Sequence, residues 1–265
     1  MPIPTPKSMA EVHLPIETYL LDYEHQGKLE VLYSRMRDQC VRDKGFTPPA
    51  TSVSGERAVG RYVRLWRYYD TRRYAISDAA TAREYGYHLP PFTRGSKPIS
   101  LGSLSKALRN AMLDCGGKAA KRQSVSVGED KSGFEELATN LRAEDFTHSQ
   151  SDPRVRDVFR NWSACMAQKG YHYPTPVDAA KDGQWKDSGQ RTPEALKAEV
   201  TPRETRTAVA EVECVHETNL LGVSFAVEAE YENKDIEKNA EALNKLKARN
   251  ERAAQKIDEL WAQSG

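Results

Sequence analysis

SDPRVRDVFRNWSACMAQKG, Ser151–Gly170, decides the fold class. Asp152 is a strong N-cap residue, and Pro153 falls at the first helical position, where its missing N–H costs nothing. Val155, Val158, Phe159, Trp162, Cys165 and Met166 follow at helical spacing on one face. Lys169 puts positive charge in the last turn, where the helix dipole favours it. Gly170 can then take the left-handed conformation that ends a helix. The segment reads as a complete amphipathic helix with its start and stop written in.

Its ending recurs. KGYHYPTP (Lys169–Pro176), YGYHLPP (Tyr85–Pro91) and KGFTPPA (Lys44–Ala50) each place an aromatic after glycine and proline soon after. The aromatic folds back on the last turn and the prolines force an extended exit. The sequence therefore predicts a helix ending at Lys44 with the stripe Leu29, Leu32, Tyr33, Met36 and Cys40, and a short helix beginning near Ser77. Cys40 and Cys165 share the pattern Cys-x-x-x-Lys-Gly-aromatic, which reads as a weak internal repeat with one copy per half. Residues 120–131 and 177–191 are polar and read as loops, the first dividing an N-terminal lobe, 1–130, from a C-terminal lobe, 131–265.

The last third is also helical. Thr201–Glu204, T-P-R-E, reads as a capping box with proline at the first position. Val209, Val212, Cys214 and Val215 follow, and Asn219–Gly222, NLLG, interrupts the pattern. A long charged helix is expected over 223–263, with Ile236, Leu243, Asn250 and Ile257 recurring every seven residues and Leu246, Ala253 and Leu260 beside them. This narrow seam can pack on the body, the favoured reading, or pair with a partner as a coiled coil. The expectation is an all-α, irregular helical bundle of two associated lobes.

The totals narrow the class. The chain has 265 residues, 38% hydrophobic and 29% charged, with net charge +1, so no global field draws it to nucleic acid or anionic membrane. It contains no run of about 18 apolar residues. Its start, MPIPTPKSMAEVHLP, lacks a basic stretch followed by an apolar one, so either the protein is cytosolic or an export signal has been removed ahead of it.

Four isolated cysteines, Cys40, Cys115, Cys165 and Cys214, contain no C-x-x-C. They suit either four small buried hydrophobes or two disulfides, for which three connectivities exist. Cys40–Cys115 with Cys165–Cys214 is preferred, because each bridge then closes within one half. Such bonds persist outside a reducing cytosol.

Motifs for chemistry are sparse. The chain carries no G-x-S-x-G, Walker loop, G-x-G-x-x-G or H-E-x-x-H. No cofactor is implied. His88 and His172 hold equivalent places in two G-Y-H repeats and would meet around a metal only if the halves were related by a pseudo-twofold; the reading adopted is that both sit on exposed turns. Glu211, Glu213 and Glu217 read as helix-surface residues. Between Glu56 and Tyr74, an apolar face of Val59, Tyr62, Val63, Trp66 and Tyr69 is opposed by arginines. Arg57, Arg61, Arg64 and Arg67, with Trp66 and Tyr68, form the candidate surface for an anionic ligand, a cell-wall polymer in preference to nucleic acid. The plainer reading makes the rings core and the arginines a solvated face.

RRYAISDAATAREYGYHLP (Arg72–Pro90), NWSACMAQKGYHYPTP (Asn161–Pro176) and AVAEVECVHETNLLGVSFAVEAEYENKDIEKNAEAL (Ala208–Leu243) resemble segments of uncharacterised secreted or lipid-anchored proteins of actinomycetes. The motifs are W-x-x-C-M-x-x-x-G-Y from Trp162 and V-x-C-x-x-E-T-x-L from Val212. The resemblance implies an envelope location and supports two disulfides, with Cys165–Cys214 the strongest pair. It brings no activity and no catalytic residues. The start of the chain departs from such proteins in having no leader and no lipid-modified cysteine. The expected role is a non-enzymatic extracytoplasmic binding protein for an unknown protein or anionic polymer. The alternatives are an envelope enzyme with a site between the lobes, and a cytosolic scaffold with free thiols. Oligomerisation would run through the C-terminal helix.

Overall fold

A computed structural model describes residues 3–49, 55–90, 101–127, 134–185 and 199–264. Among these, ten α-helices and no strand occur: α1 (Tyr23–Asp43), α2 (Glu56–Thr71), α3 (Ala79–Tyr85), α4 (Lys106–Val127), α5 (Phe134–Ser151), α6 (Pro153–Gln168), α7 (Pro176–Ala180), α8 (Pro202–Glu217), α9 (Leu220–Lys238) and α10 (Ala240–Gln263). The fold is all-α. No helix of the described residues is long and apolar enough to cross a membrane.

The chain divides into two compact units, each assembled from three separated stretches. One comprises 1–18, 65–94 and 139–240; the other comprises 19–64, 95–138 and 241–265. A single cut at residue 130 is not where the contacts divide it.

The first unit is built on α6, α8 and α9. On α6 the predicted stripe is buried in full, Asp152 accepts from the Arg154 N–H at 2.8 Å, and Pro153 opens the helix. Trp162 and Met166 meet Val212 and Val215 of α8 and Leu220, Leu221 and Phe225 of α9 in one apolar cluster. Cys165 and Cys214 are joined, with Cα atoms 5.7 Å apart. Asn219, in the left-handed region at φ 51°, turns the chain from α8 into α9, as NLLG implies. An N-terminal arm seats Met9, Leu14 and Ile16 in buried positions.

The second unit brings α1, α4, α10 and the first half of α2 together. Cys40 of α1 is bonded to Cys115 of α4, Cα to Cα 5.6 Å, beside Val41 and Met112. Gly27 of α1 lies so near Val59 and Tyr62 of α2 that a Cβ there would meet them at 3.2–3.3 Å. Leu32 packs on Ala253 and Ile257 of α10. All four cysteines are bonded, which removes the free-thiol alternative.

Three helix boundaries differ from the sequence reading. Residues 120–127, expected as loop, continue α4, because Ala119, Ala120, Lys121, Arg122 and Gln123 all favour helix; 128–131 lie outside the described residues. Residues 177–180 belong to the short helix α7, capped by Thr175, while 186–191 again lie outside. The helix expected over 223–263 is two helices. Asn239 leaves the helical region at φ −111°, ψ 18° and its side chain donates to the Asp235 carbonyl at 2.8 Å, ending α9 before α10 begins. Within α10 the seam residues Leu243, Leu246, Ala253 and Ile257 are buried within the chain, and Asn250 donates to the Tyr19 carbonyl at 3.0 Å. That seam is therefore spent on intramolecular packing.

The repeated Gly–aromatic–Pro endings split two to one. After α6, Gly170 N–H bonds to Ala167 O at 3.0 Å and Tyr171 N–H to Met166 O at 2.9 Å; after α1, Gly45 bonds to Arg42 and Phe46 to Val41, at 2.8 and 3.2 Å. Both are Schellman caps, with glycine at φ 86° and 80°. Gly86 is different: it is itself the cap, at φ 54°, ψ −126°.

Candidate functional site

Four glutamates in the first unit, Glu204, Glu211, Glu228 and Glu232, are at most 1% exposed. A buried carboxylate persists only where donors meet it or where it takes up a proton. These meet the donors of the irregular segments that run over α8 and α9. Such segments have backbone N–H groups with no helical partner, and each must find an acceptor.

On α8, Glu211 accepts from the Ile76 N–H at 2.9 Å and the Tyr87 hydroxyl at 2.6 Å. Burial pushes its carboxyl up to about 7. One turn pair earlier, Glu204 accepts from the Tyr87 N–H at 2.8 Å and lies 2.8 Å from His88 Nδ1. The capping box at Thr201 is thus half made. The Thr201 hydroxyl accepts from the Glu204 N–H at 3.1 Å, but the Glu204 carboxylate turns inward to the 86–88 turn. Tyr87 completes the clamp by stacking on Trp185, ring centroids 5.7 Å apart.

On α9, Glu228 accepts from the Arg73 guanidinium through two nitrogens and from the Tyr74 hydroxyl. Arg73 also lies over the Phe146 ring, 4.7 Å from its centroid. Four residues on, Glu232 accepts from the Ile16 N–H of the arm at 3.0 Å. Burial pushes Glu232 up to about 8, helped by the charge of Glu228. Nearby on α5, Asp145 is fully buried and is pushed up to about 7 by burial and by the neighbouring Asp235 carboxylate. Asp235 itself is held low, chiefly by Lys238, 2.6 Å away. Arg142 of α5 bonds to Asp70 at 2.8 Å and reaches Glu17 at 3.7 Å.

Chemically these groups form a set of clamps. Each takes up backbone or side-chain donors and is closed to solvent. Sequence reasoning placed Glu211 on a helix surface; it is buried, whereas Glu213 is exposed and pairs with Lys169 at 2.8 Å. Two signals pointed to the truth. Glu204 and Glu211 are seven apart, on the face that carries Ala208 and Val215, and Glu228 interrupts the apolar run Phe225–Ala229.

The two histidines of the G-Y-H repeats part company. His88 is buried against Glu204, so the expectation of an exposed turn fails there; its neighbour Gly86 admits the Glu204 side chain. His172 is exposed. Among the described residues no three His, Cys, Asp or Glu side chains stand together as a metal site would need.

The arginine segment is α2. Val59 is buried, Tyr62, Val63 and Tyr69 are half-buried, and Trp66 is 40% exposed. Tyr68 turns inward: it is buried, and its hydroxyl accepts from Arg72 Nη1 at 2.7 Å. It therefore offers no open ring for stacking. Arg57, Arg64 and Arg67 are exposed and Arg61 is half-buried. Arg57, Arg61 and Arg64 belong to the second unit, Trp66, Arg67 and Tyr68 to the first.

No family model matches the chain, and no curated protein and no solved structure matches it either.

The second unit contains 20 Lys and Arg against 15 Asp and Glu, a formal charge of +5; the first, with the remaining 19 and 23, carries −4. The near-neutral total hides this polarity. Among the described residues Arg57 and Arg61 have no acidic partner. Among the described residues no atom would meet a Cβ added at their neighbour Gly60 within 4 Å.

Proposed function

We propose that the protein is an extracytoplasmic, non-enzymatic binding protein that presents the α2 arginines of its basic unit to an anionic cell-envelope ligand. The observation that carries this reading is the row Arg57, Arg61 and Arg64. Spacings of four and three keep the row on one side of α2, in the unit of net charge +5. Two disulfides support a location outside the reducing cytosol, where such bonds persist. The buried acids support a binding role over catalysis, because all four glutamates are closed to solvent.

The test is retention on an immobilised anionic polymer such as teichoic acid. The wild-type protein is retained at low salt and elutes as ionic strength screens the charges. Arg57→Ala/Arg61→Ala/Arg64→Ala elutes markedly earlier with unchanged helicity. Equal retention of the variant would overturn the reading.

A further inference from the structure

The N-terminal arm is held to α8 and α9 at four places. Asn219 Nδ2 donates to Pro4 O at 2.8 Å, and His216 Nε2 lies 3.0 Å from Lys7 O. Gly222 approaches so near that a Cβ would stand 1.9 Å from Pro4 O. The fourth contact, deepest in the unit, is the Ile16 N–H on Glu232 Oε2, with Ile16 completely buried. The other Glu232 oxygen, Oε1, is also buried and accepts no hydrogen bond from the described residues.

The charges around Glu232 do not balance. Glu228, Arg73, Asp145 and Tyr74 act on Glu232 directly; beyond them, His13, Asp70 and Arg142 act on Glu17 of the arm, Glu144 and Asp235 on Asp145, and His148 and Lys238 on Asp235. Arg73 is taken by Glu228, Arg142 by Asp70 and Glu17, and Lys238 by Asp235. Glu232 has no cation of its own among the described residues. Its nearest charged neighbours include two further carboxyls, Glu228 and Asp145. An ionised Glu232 would be a desolvated charge facing like charges, with one backbone N–H and the charge of Arg73, shared with Glu228, to hold it.

We propose that the arm is a proton-dependent latch: it is seated on α9 while Glu232 carries a proton, and it loosens when Glu232 ionises. Ionisation draws water to the buried carboxylate, and the water must enter where Ile16 and Leu14 are packed. The disulfide-linked α6–α8 pair stays in place. With an ordinary value of 4.5 and a seated value of about 8, Glu232 weakens the seating of the arm as pH rises toward 8, and the loss is complete in mildly alkaline conditions.

Amide hydrogen exchange on the intact protein tests this, read as protection factors so that intrinsic base catalysis is removed. Peptides covering 9–19 are expected to lose about tenfold in protection between pH 7 and pH 9, because each pH unit below the seated value of about 8 weakens seating about tenfold and the loss levels off above it. Peptides of α6 keep theirs. Glu232→Gln, which preserves an acceptor for Ile16, makes arm protection independent of pH. Asp145→Asn removes a facing negative charge and moves the transition to lower pH. Constant arm protection in the wild type, or the same loss in Glu232→Gln, overturns the proposal. If Glu232→Gln does not fold, Asp145→Asn decides: a transition at the wild-type pH overturns the latch.

Discussion

A Cβ built on Gly86 would stand 2.6 Å from Glu204 Oε1 and 2.9 Å from the carboxyl carbon. The glycine is therefore required twice, by its backbone at φ 54° and by the buried acid that presses against it. Its two sequence cousins are required once. Gly45 and Gly170 have positive φ, but no atom would meet an added Cβ within 4 Å.

A graded series follows from this difference. Gly45→Ala and Gly170→Ala carry only the left-handed backbone penalty, about 1 kcal/mol each. Gly86→Ala adds displacement of Glu204 from Tyr87 and His88 and should cost about 3 kcal/mol or more. Denaturant titration of the three variants measures the order. Equal losses at all three would contradict the structure.

The disulfides close loops with sequence separations of 75 and 49. In the chain-entropy account each stabilises by about 4 kcal/mol. Intact mass should show no alkylatable thiol in the unreduced protein and four after reduction and unfolding. Cys165→Ala/Cys214→Ala is expected to lower the unfolding midpoint strongly, since both sulfurs lie in the main apolar cluster of the first unit. Four thiols reacting in the native, unreduced protein would remove both the bridges and the proposed location.

Stability should fall as pH rises through neutrality. Glu211 has an ordinary value of 4.5 and a folded value of about 7. Between these, the folded chain holds a proton that the unfolded chain has released, so rising pH favours unfolding. The stabilising difference is complete below about pH 4.5 and is lost progressively as pH climbs through 7. Glu211 alone should account for about 2 kcal/mol between pH 5 and pH 8. Urea midpoints across that range measure it, and Glu211→Gln should make the fall shallower, leaving the part that Glu232 and Asp145 contribute. A wild-type midpoint that rises from pH 5 to pH 8 would refute the assignment.

Periodicity and capping made the helices legible. Asp152, Pro153 and Gly170 bound α6 as their chemistry requires, and Thr201 with Pro202 starts α8. What failed was local in cause and distant in origin. Glu204 looked like a capping residue, and its carboxylate was claimed instead by a turn 117 residues away in sequence. Glu211 looked like surface until Ile76 and Tyr87 covered it. Tyr68 looked available for stacking until Arg72 drew its hydroxyl inward. Asn239 carried no obvious break signal within a charged helical run, and its backbone and side-chain N–H groups both turn to the Asp235 carbonyl where α9 ends. A one-dimensional pattern records which faces are apolar, and it does not record which distant donor will reach a given acid.

The threefold interleaving of each unit constrains how this molecule can be made. Each unit draws on three separated stretches, so neither body can close before the segments inserted within it have been made. Cys40 and Cys115 can nevertheless meet once the first 115 residues are out, long before α10 arrives to cover α1. The bridge at Cys40 thus needs no residue beyond 115, whereas the burial of Leu32 on the same helix waits for Ala253 and Ile257.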